Sequence, residues 1–487
     1  MEAVEGDGQP KRVSVCHIDT PLLTFNDAGD LWSIRDSCAG LLVLGGPGSG
    51  KTACVAALVR LKMLLQGFGF MVLTVKKDEA RKWIETADRA GRRDDIIHVT
   101  RDGTQCFDPL THEMRRGGPG AGDTNNIVSI LSTLANVGKP HVTSGGDESA
   151  RFFRDSSEQA QRAAVNLLAG AGEPISLMNI RKVINSLPEM AIPEDPENHS
   201  QAVKDWMNIA YAGKLLSRIV DRHIAGELSP DRWRAAEYAS EFLCSEWPAL
   251  APQTRTSIKQ TFSSMADKLL TPPFDRLLCS GKCTYAPEQM YMQGKIIILD
   301  LPTTEYGVSA ELFQIANKLA AQAAIQRRDV RRYPRPCTIF ADEFQVFSVP
   351  QDAAFSEIAR EARGCVVYLT QNLQNVARRL QEHQPGAGTL SLIGNIQTRV
   401  FLQNGESEFT NRWAADSFGK EHVQILEGGP GGVVIRHDYR YLVEPATFAS
   451  LPTPTTNDPY AVGIVYRGGQ PWIETGKPYL FYAFPRL

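Results

Sequence analysis

Short apolar runs alternate with longer amphipathic stretches at the start of the chain. Residues 39–45 (AGLLVLG) read as a buried strand, Lys51 to Leu65 as a helix of small and apolar residues, and Phe70 to Val75 as a second strand. The mixed-charge stretch 76–90 (KKDEARKWIETADRA) has helical spacing, and Ile96 to Val99 reads as a third strand. Strand and helix at this pace predict an open parallel α/β sheet. Near Gly117-Gly118-Pro119-Gly120-Ala121-Gly122 the pattern changes; that run cannot sustain a regular element, and 111–145 is predicted to be a flexible excursion. Helical spacing then fills Arg151 to Ala169, Leu177 to Leu187, 200–226, 230–245 and 253–270 with no strand-like run between them. Sheet-forming runs resume at Lys295 to Asp300, Cys337 to Ala341, Cys365 to Leu369 and 398–402, with helices at 309–328, 352–363 and 373–382. Gly432 to Ile435 and Tyr439 to Val443 are predicted to form a hairpin that turns at His437-Asp438. The runs Ala461 to Tyr466 and Tyr479 to Phe484 are predicted to edge or cover the sheet.

Composition narrows the class. Apolar residues make up 43% and charged residues 22%, as in a globular protein. With 52 basic and 55 acidic side chains the formal charge is -3, so any nucleic-acid surface has to be a local patch. No apolar stretch reaches the roughly 20 residues that cross a bilayer. The opening MEAVEGDGQPKR lacks the features of a signal peptide and is predicted to fray. Nine scattered cysteines suit a reducing compartment, and Cys279 and Cys283 have no second pair to complete a metal site. The expected location is cytoplasmic, or peripheral at a membrane through a partner.

One motif carries specific chemistry. Gly45-Gly46-Pro47-Gly48-Ser49-Gly50-Lys51-Thr52 follows an apolar strand and opens a helix, which is the context of a phosphate-binding loop. Its glycines let backbone N–H groups turn toward phosphate, Lys51 is suited to the β/γ-phosphates of ATP, and the Thr52 hydroxyl to Mg²⁺. A second acid must complete the metal site. Asp342-Glu343 ends an apolar run, giving Asp342 the Mg²⁺-linked role and Glu343 the activation of water; Asp300 is the alternative, or merely caps its strand. Gln371, at the tip of the run 366–370, is placed to touch the γ-phosphate or its attacking water, or else to satisfy a loop. These features predict an α/β, RecA-like P-loop ATPase core with a mostly helical inserted domain. The parts are an N-terminal lead-in (1–39), a first core segment (40–149), the insert (150–280) and the rest of the core with C-terminal strands (281–487).

Several blocks together resemble the VirD4/TraG/TrwB-like coupling ATPases of conjugation and type IV secretion, a branch of the FtsK-HerA superfamily. They are Phe107-Asp108-Pro109-Leu110, Lys295 to Leu301 with Pro302, Ile339 to Glu343, Arg360-Glu361-Ala362-Arg363-Gly364 followed by Val366 to Gln371, and Gly394 to Leu402. Asp108 stands where the family has Asn, and Val72 to Glu79 occupies the place where it often has Asp-Pro-Lys-Gly-Glu. The resemblance implies a ring-forming, hexameric DNA translocase whose neighbouring subunit supplies an arginine to the bound nucleotide. Arg360 matches that arginine best, with Arg363 the alternative. Family members usually carry a membrane anchor ahead of the core. Its absence here implies a soluble branch, recruitment by a membrane-bound partner or protein adaptor, or use of DNA in mobile-element transfer or defence.

The densest basic cluster is Arg327, Arg328, Arg331, Arg332 and Arg335, beside Tyr333. It can contact DNA phosphates or serve as a solvated or intersubunit surface. Two other functions remain open: ATP-gated assembly without movement of nucleic acid, and coupling of a protein substrate in secretion.

Overall fold

The computed structural model describes residues 17–137, 146–429 and 432–487; the opening polar segment and part of the glycine-rich stretch, including 138–145, lie outside them. Its strands are β1 (Pro21–Thr24), β2 (Leu31–Ser33), β3 (Leu41–Leu44), β4 (Gly69–Leu73), β5 (Ile96–Val99), β6 (Ile296–Leu299), β7 (Cys337–Ala341), β8 (Gly364–Thr370), β9 (Thr398–Phe401), β10 (Lys420–Gly429), β11 (Gly432–Tyr441), β12 (Tyr460–Arg467) and β13 (Tyr479–Pro485). Nine of them form one sheet in the order β13-β12-β9-β3-β8-β7-β4-β6-β5. From β9 to β5 all neighbours are parallel, while β12 and β13 close the edge antiparallel.

Apolar residues on both sides of the central strands β3, β4, β6, β7, β8 and β9 explain why this part of the sheet is buried on both faces. Leu42, Leu44, Met71, Leu73, Ile297, Leu299 and Ile339 join one core with the helical module. Their neighbours Leu41, Val43, Phe70, Val72, Ile296, Ile298 and Phe340 join the other, with Trp32, Met63 and Trp83. Each such side chain contributes roughly 1.5–3 kcal/mol on burial. Gly69 lets the helix Gln289–Gln293 press onto β4, since a Cβ there would overlap the Met290 carbonyl.

Among the described residues, the stretch between Gly146 and Leu278 holds helices and no strand. The core is therefore α/β with flanking helical insertions, as its pattern predicts. Two local expectations are corrected. The glycine-rich excursion contains two helices, Pro109–Arg115 and Thr124–Asn136. The second buries Ile127, Val128, Leu131, Leu134 and Ala135, a helical spacing that outweighs the flanking glycines. His437 and Asp438 are not a turn but lie inside β11, which pairs with β10 in register from Lys420↔Tyr441 to Gly429↔Gly432. In the lead-in, β1 and β2 pair and place Leu22, Leu23 and Trp32 in the second core.

Register decides what the sheet can do. Leu44 lies beside Thr370 and Phe401, and Leu73 beside Ala341 and Leu299, so the carboxyl ends of these strands share one edge. Ligands bind at this edge in open α/β sheets.

Candidate active site

Four strand tips converge at that edge. The loop 45–50 follows β3, Gln371 follows β8, Asp342-Glu343 follows β7, and Thr74 to Lys76 follows β4. Gly48 (φ 74°) and Gly50 (φ 92°) take left-handed conformations that make the loop turn back on itself. A Cβ on Gly50 would stand 2.6 Å from that of Ala461 on β12, so the C-terminal strand also requires glycine there. Among the described residues, the N–H groups of Gly48 and Gly50 meet no acceptor, which leaves donors for an anion. Helical structure resumes with a π turn over Lys51–Ala56, which runs into the α-helix Ala57–Leu65.

Lys51 is buried, and its Nζ donates to the carbonyls of Gly45 (2.5 Å) and Gly46 (2.9 Å). Burial pulls its pKa down, with Glu343 and Asp342 opposing. The Thr52 hydroxyl donates to Asp342 Oδ2 at 2.6 Å, joining residues from opposite halves of the chain. Glu343 is held in the left-handed region (φ 57°, ψ 48°), an unusual backbone for a residue with a Cβ. Its carboxylate accepts from Lys76 Nζ (2.8 Å), Gln345 Nε2 (2.9 Å) and Gln371 Nε2 (3.5 Å). Burial favours its protonated form, but the bonds from Lys76 and Gln345 outweigh that and hold its pKa below the ordinary carboxylate range.

Lys51, Thr52, Asp342, Glu343 and Gln371 are thus brought together. Asp300 is not among them: it ends β6, two strands beyond β7, and pairs with His98 Nε2 at 2.8 Å. Arg360 is exposed and precedes β8, placing it at the opposite edge of the sheet from Gln371, about 20 Å along the strand. Arg363 donates to the Pro334 carbonyl at 2.8 Å. Within the basic cluster, Arg328 is buried against the carbonyls of Arg335 and Ala362, and Arg335 donates to Gly67 at 2.8 Å. Arg327 pairs with Glu113 at 3.5 Å; Arg331 and Arg332 are exposed. Asp108 caps the helix Pro109–Arg115 through Leu110 and Thr111 and also accepts from Gly281 N–H, so a carboxylate there does structural work. Among the described residues, no cluster that could hold a metal ion forms around the cysteines.

The fold is shared with a conjugative coupling protein. "Plasmid coupling protein TrwB in complex with ADP and Mg2+" has a TM-score of 0.55 and 15% identity over 95% of this chain and 89% of that one. The unbound form, TrwBdeltaN70, matches at 0.55 and 14%, covering 95% and 88%. TrwB in complex with a non-hydrolysable ATP analogue gives 0.55 and 14%, covering 95% and 89%. No protein-family model and no curated protein matches the chain. At such identity the likeness is one of fold, and the chemistry rests on the residues themselves.

Three groups at the site have no signal in the sequence. Lys76 reaches Glu343 only because β4 lies beside β7. Glu79 is buried and accepts from Val75 N–H at 2.7 Å. Asn404 donates to the Gln371 carbonyl at 2.9 Å and so fixes the tip of β8. Strand order is what assembles them, and it is not written in local pattern.

Proposed function

We propose that this chain is an ATPase that uses hydrolysis to move or deliver DNA, in the manner of the coupling proteins whose fold it shares. The observation that carries the catalytic part is the Thr52–Asp342 hydrogen bond, which puts a loop hydroxyl and a distant carboxylate on one point. Hydroxyl and carboxylate oxygens are the hard donors Mg²⁺ prefers, so Thr52 and Asp342 fit a site for it, Asp342 directly or through water. When bound, the ion neutralises charge on the phosphate oxygens.

The chain's own groups take the remaining roles. Lys51, released from the Gly45 and Gly46 carbonyls, pairs with the β/γ-phosphates, while the N–H groups of the glycine loop receive their oxygens. Glu343 takes a proton from a water molecule as its oxygen attacks the γ-phosphorus. The bond to the bridging oxygen breaks, and its electron pair leaves with ADP. Gln371, anchored by Asn404, orients that water. Burial of Lys51 and Asp342 strengthens these interactions by excluding solvent.

ATP turnover measured with and without single- and double-stranded DNA tests this. Wild-type hydrolysis should rise with DNA, Lys51→Ala should abolish it, and Glu343→Gln should bind ATP yet turn over about 10²–10⁴-fold more slowly. Normal hydrolysis in both variants would sink the site. Hydrolysis indifferent to DNA, with ATP-dependent assembly, would favour the gated-assembly function instead.

A further inference from the structure

The geometry points to Lys76 as a γ-phosphate-responsive catch on Glu343: its ammonium holds the carboxylate until a triphosphate draws it away. This inference rests on the ATPase reading above.

The backbone around Lys76 is pinned, while its side chain is half-exposed and bonded to Glu343 at its tip. Val75 N–H donates to Glu79 Oε2 at 2.7 Å. The Val75 carbonyl accepts from Thr304 N–H at 3.2 Å and from the Thr304 hydroxyl at 2.8 Å. Lys76 itself is 54% exposed along its side chain, whereas its partner Glu343 is 13% exposed. A flexible four-carbon stem on a fixed base can swing without moving the turn.

Charge supplies the reason to swing. Lys51 and Lys76 act on one another electrostatically, and both feel Asp342 and Glu343; Lys76 also feels Glu79, and Arg60 feels Asp342. In this arrangement the Glu343 carboxylate is occupied by Lys76, Gln345 and Gln371. A γ-phosphate beside Lys51 adds negative charge within reach of the Lys76 ammonium and competes for it. Moving Lys76 onto phosphate both grips the triphosphate and frees the Glu343 carboxylate of its ammonium partner, leaving it to Gln345 and Gln371. ADP lacks the γ-group and leaves the catch closed.

Binding of a non-hydrolysable ATP analogue and of ADP, each with Mg²⁺, tests the proposal in wild type, Lys76→Met, Glu343→Gln and the double variant. Lys76→Met should weaken the analogue at least tenfold while changing ADP less than twofold. Glu343→Gln should tighten the analogue several-fold by releasing Lys76, and that gain should vanish in the double variant. An equal change for both nucleotides, or none, would mark the ion pair as structural and overturn the catch. A gain that persists in the double variant would overturn it as well. Wild-type protein that binds neither nucleotide overturns the ATPase reading instead, so the two failures are distinct.

Discussion

Glu343 concentrates the site's local costs in one residue. A left-handed backbone on a residue with a Cβ costs about 1–2 kcal/mol, and it is held here by the bonds from Lys76, Gln345 and Gln371. Glu79, four residues from Val75, stores a cost of a different kind. One oxygen accepts from Val75 N–H, and the other is buried with no partner. Burial, aided by the charge of Asp342, pushes its pKa from 4.5 up to about 7. Between those values the folded chain keeps a proton that the unfolded chain has released, so stability falls as pH rises through that window and levels off above it. The loss is on the order of 3 kcal/mol. Glu79→Gln retains an acceptor for Val75 and carries no charge. Its unfolding free energy, measured without nucleotide or metal at pH 5 and pH 8, should show most of that fall removed. Parallel pH profiles for the two proteins would contradict the assignment.

Among the elements, the helix Thr303–Arg327 is tied to the segment after β7 by an ion pair with no exposure on either side. Lys318 Nζ donates to Asp352 Oδ1 (2.7 Å), Asp352 Oδ2 (2.5 Å) and the Phe347 carbonyl (2.7 Å). Asp352 also accepts from Gln322 Nε2 and Val349 N–H. With every group matched, the pair fixes the loop that begins at Glu343. Lys318→Met would leave Asp352 buried and uncompensated, costing about 3–5 kcal/mol in denaturant unfolding. Adding Asp352→Leu should recover much of the loss; a double variant as unstable as the single one would show that the pair itself is stabilising. None of this was legible beforehand, because a lysine inside an apolar helix gives no sign of its partner. Strands with both faces buried were legible as apolar runs, and so were the polar residues at their tips: Asp342, Glu343 and Gln371. Among the described residues β10 and β11 pair only with each other, and their polar residues continue through the pairing, which is why His437-Asp438 reads as a turn. The helix Thr124–Asn136 had its apolar spacing in view, but the adjacent glycines obscured it.

For the whole molecule, the decisive geometry is the distance between Arg360 and the phosphate loop. Arg360 sits before β8 at the amino edge of the sheet, and Lys51 lies at the carboxyl edge. Among the described residues no ion pair holds the Arg360 guanidinium, and a chain acting alone cannot carry it across the sheet to its own nucleotide. A head-to-tail neighbour can present that edge to the next chain's loop, and a closed ring repeats the contact. An arginine supplied in this way stabilises charge on the transferred phosphoryl group by a factor of about 10³–10⁵. Arg360→Ala and Lys51→Ala should therefore each be inactive alone. Mixed in equal amounts before assembly, about a quarter of the contacts would join an intact Lys51 to a neighbour's intact Arg360. ATP hydrolysis by the mixture should rise well above the sum of the separate variants and fall again when either is in excess. Because neither variant holds a complete site, such a gain requires two chains at one nucleotide; a mixture no more active than its parts would confine each site to a single chain and remove Arg360 from the mechanism.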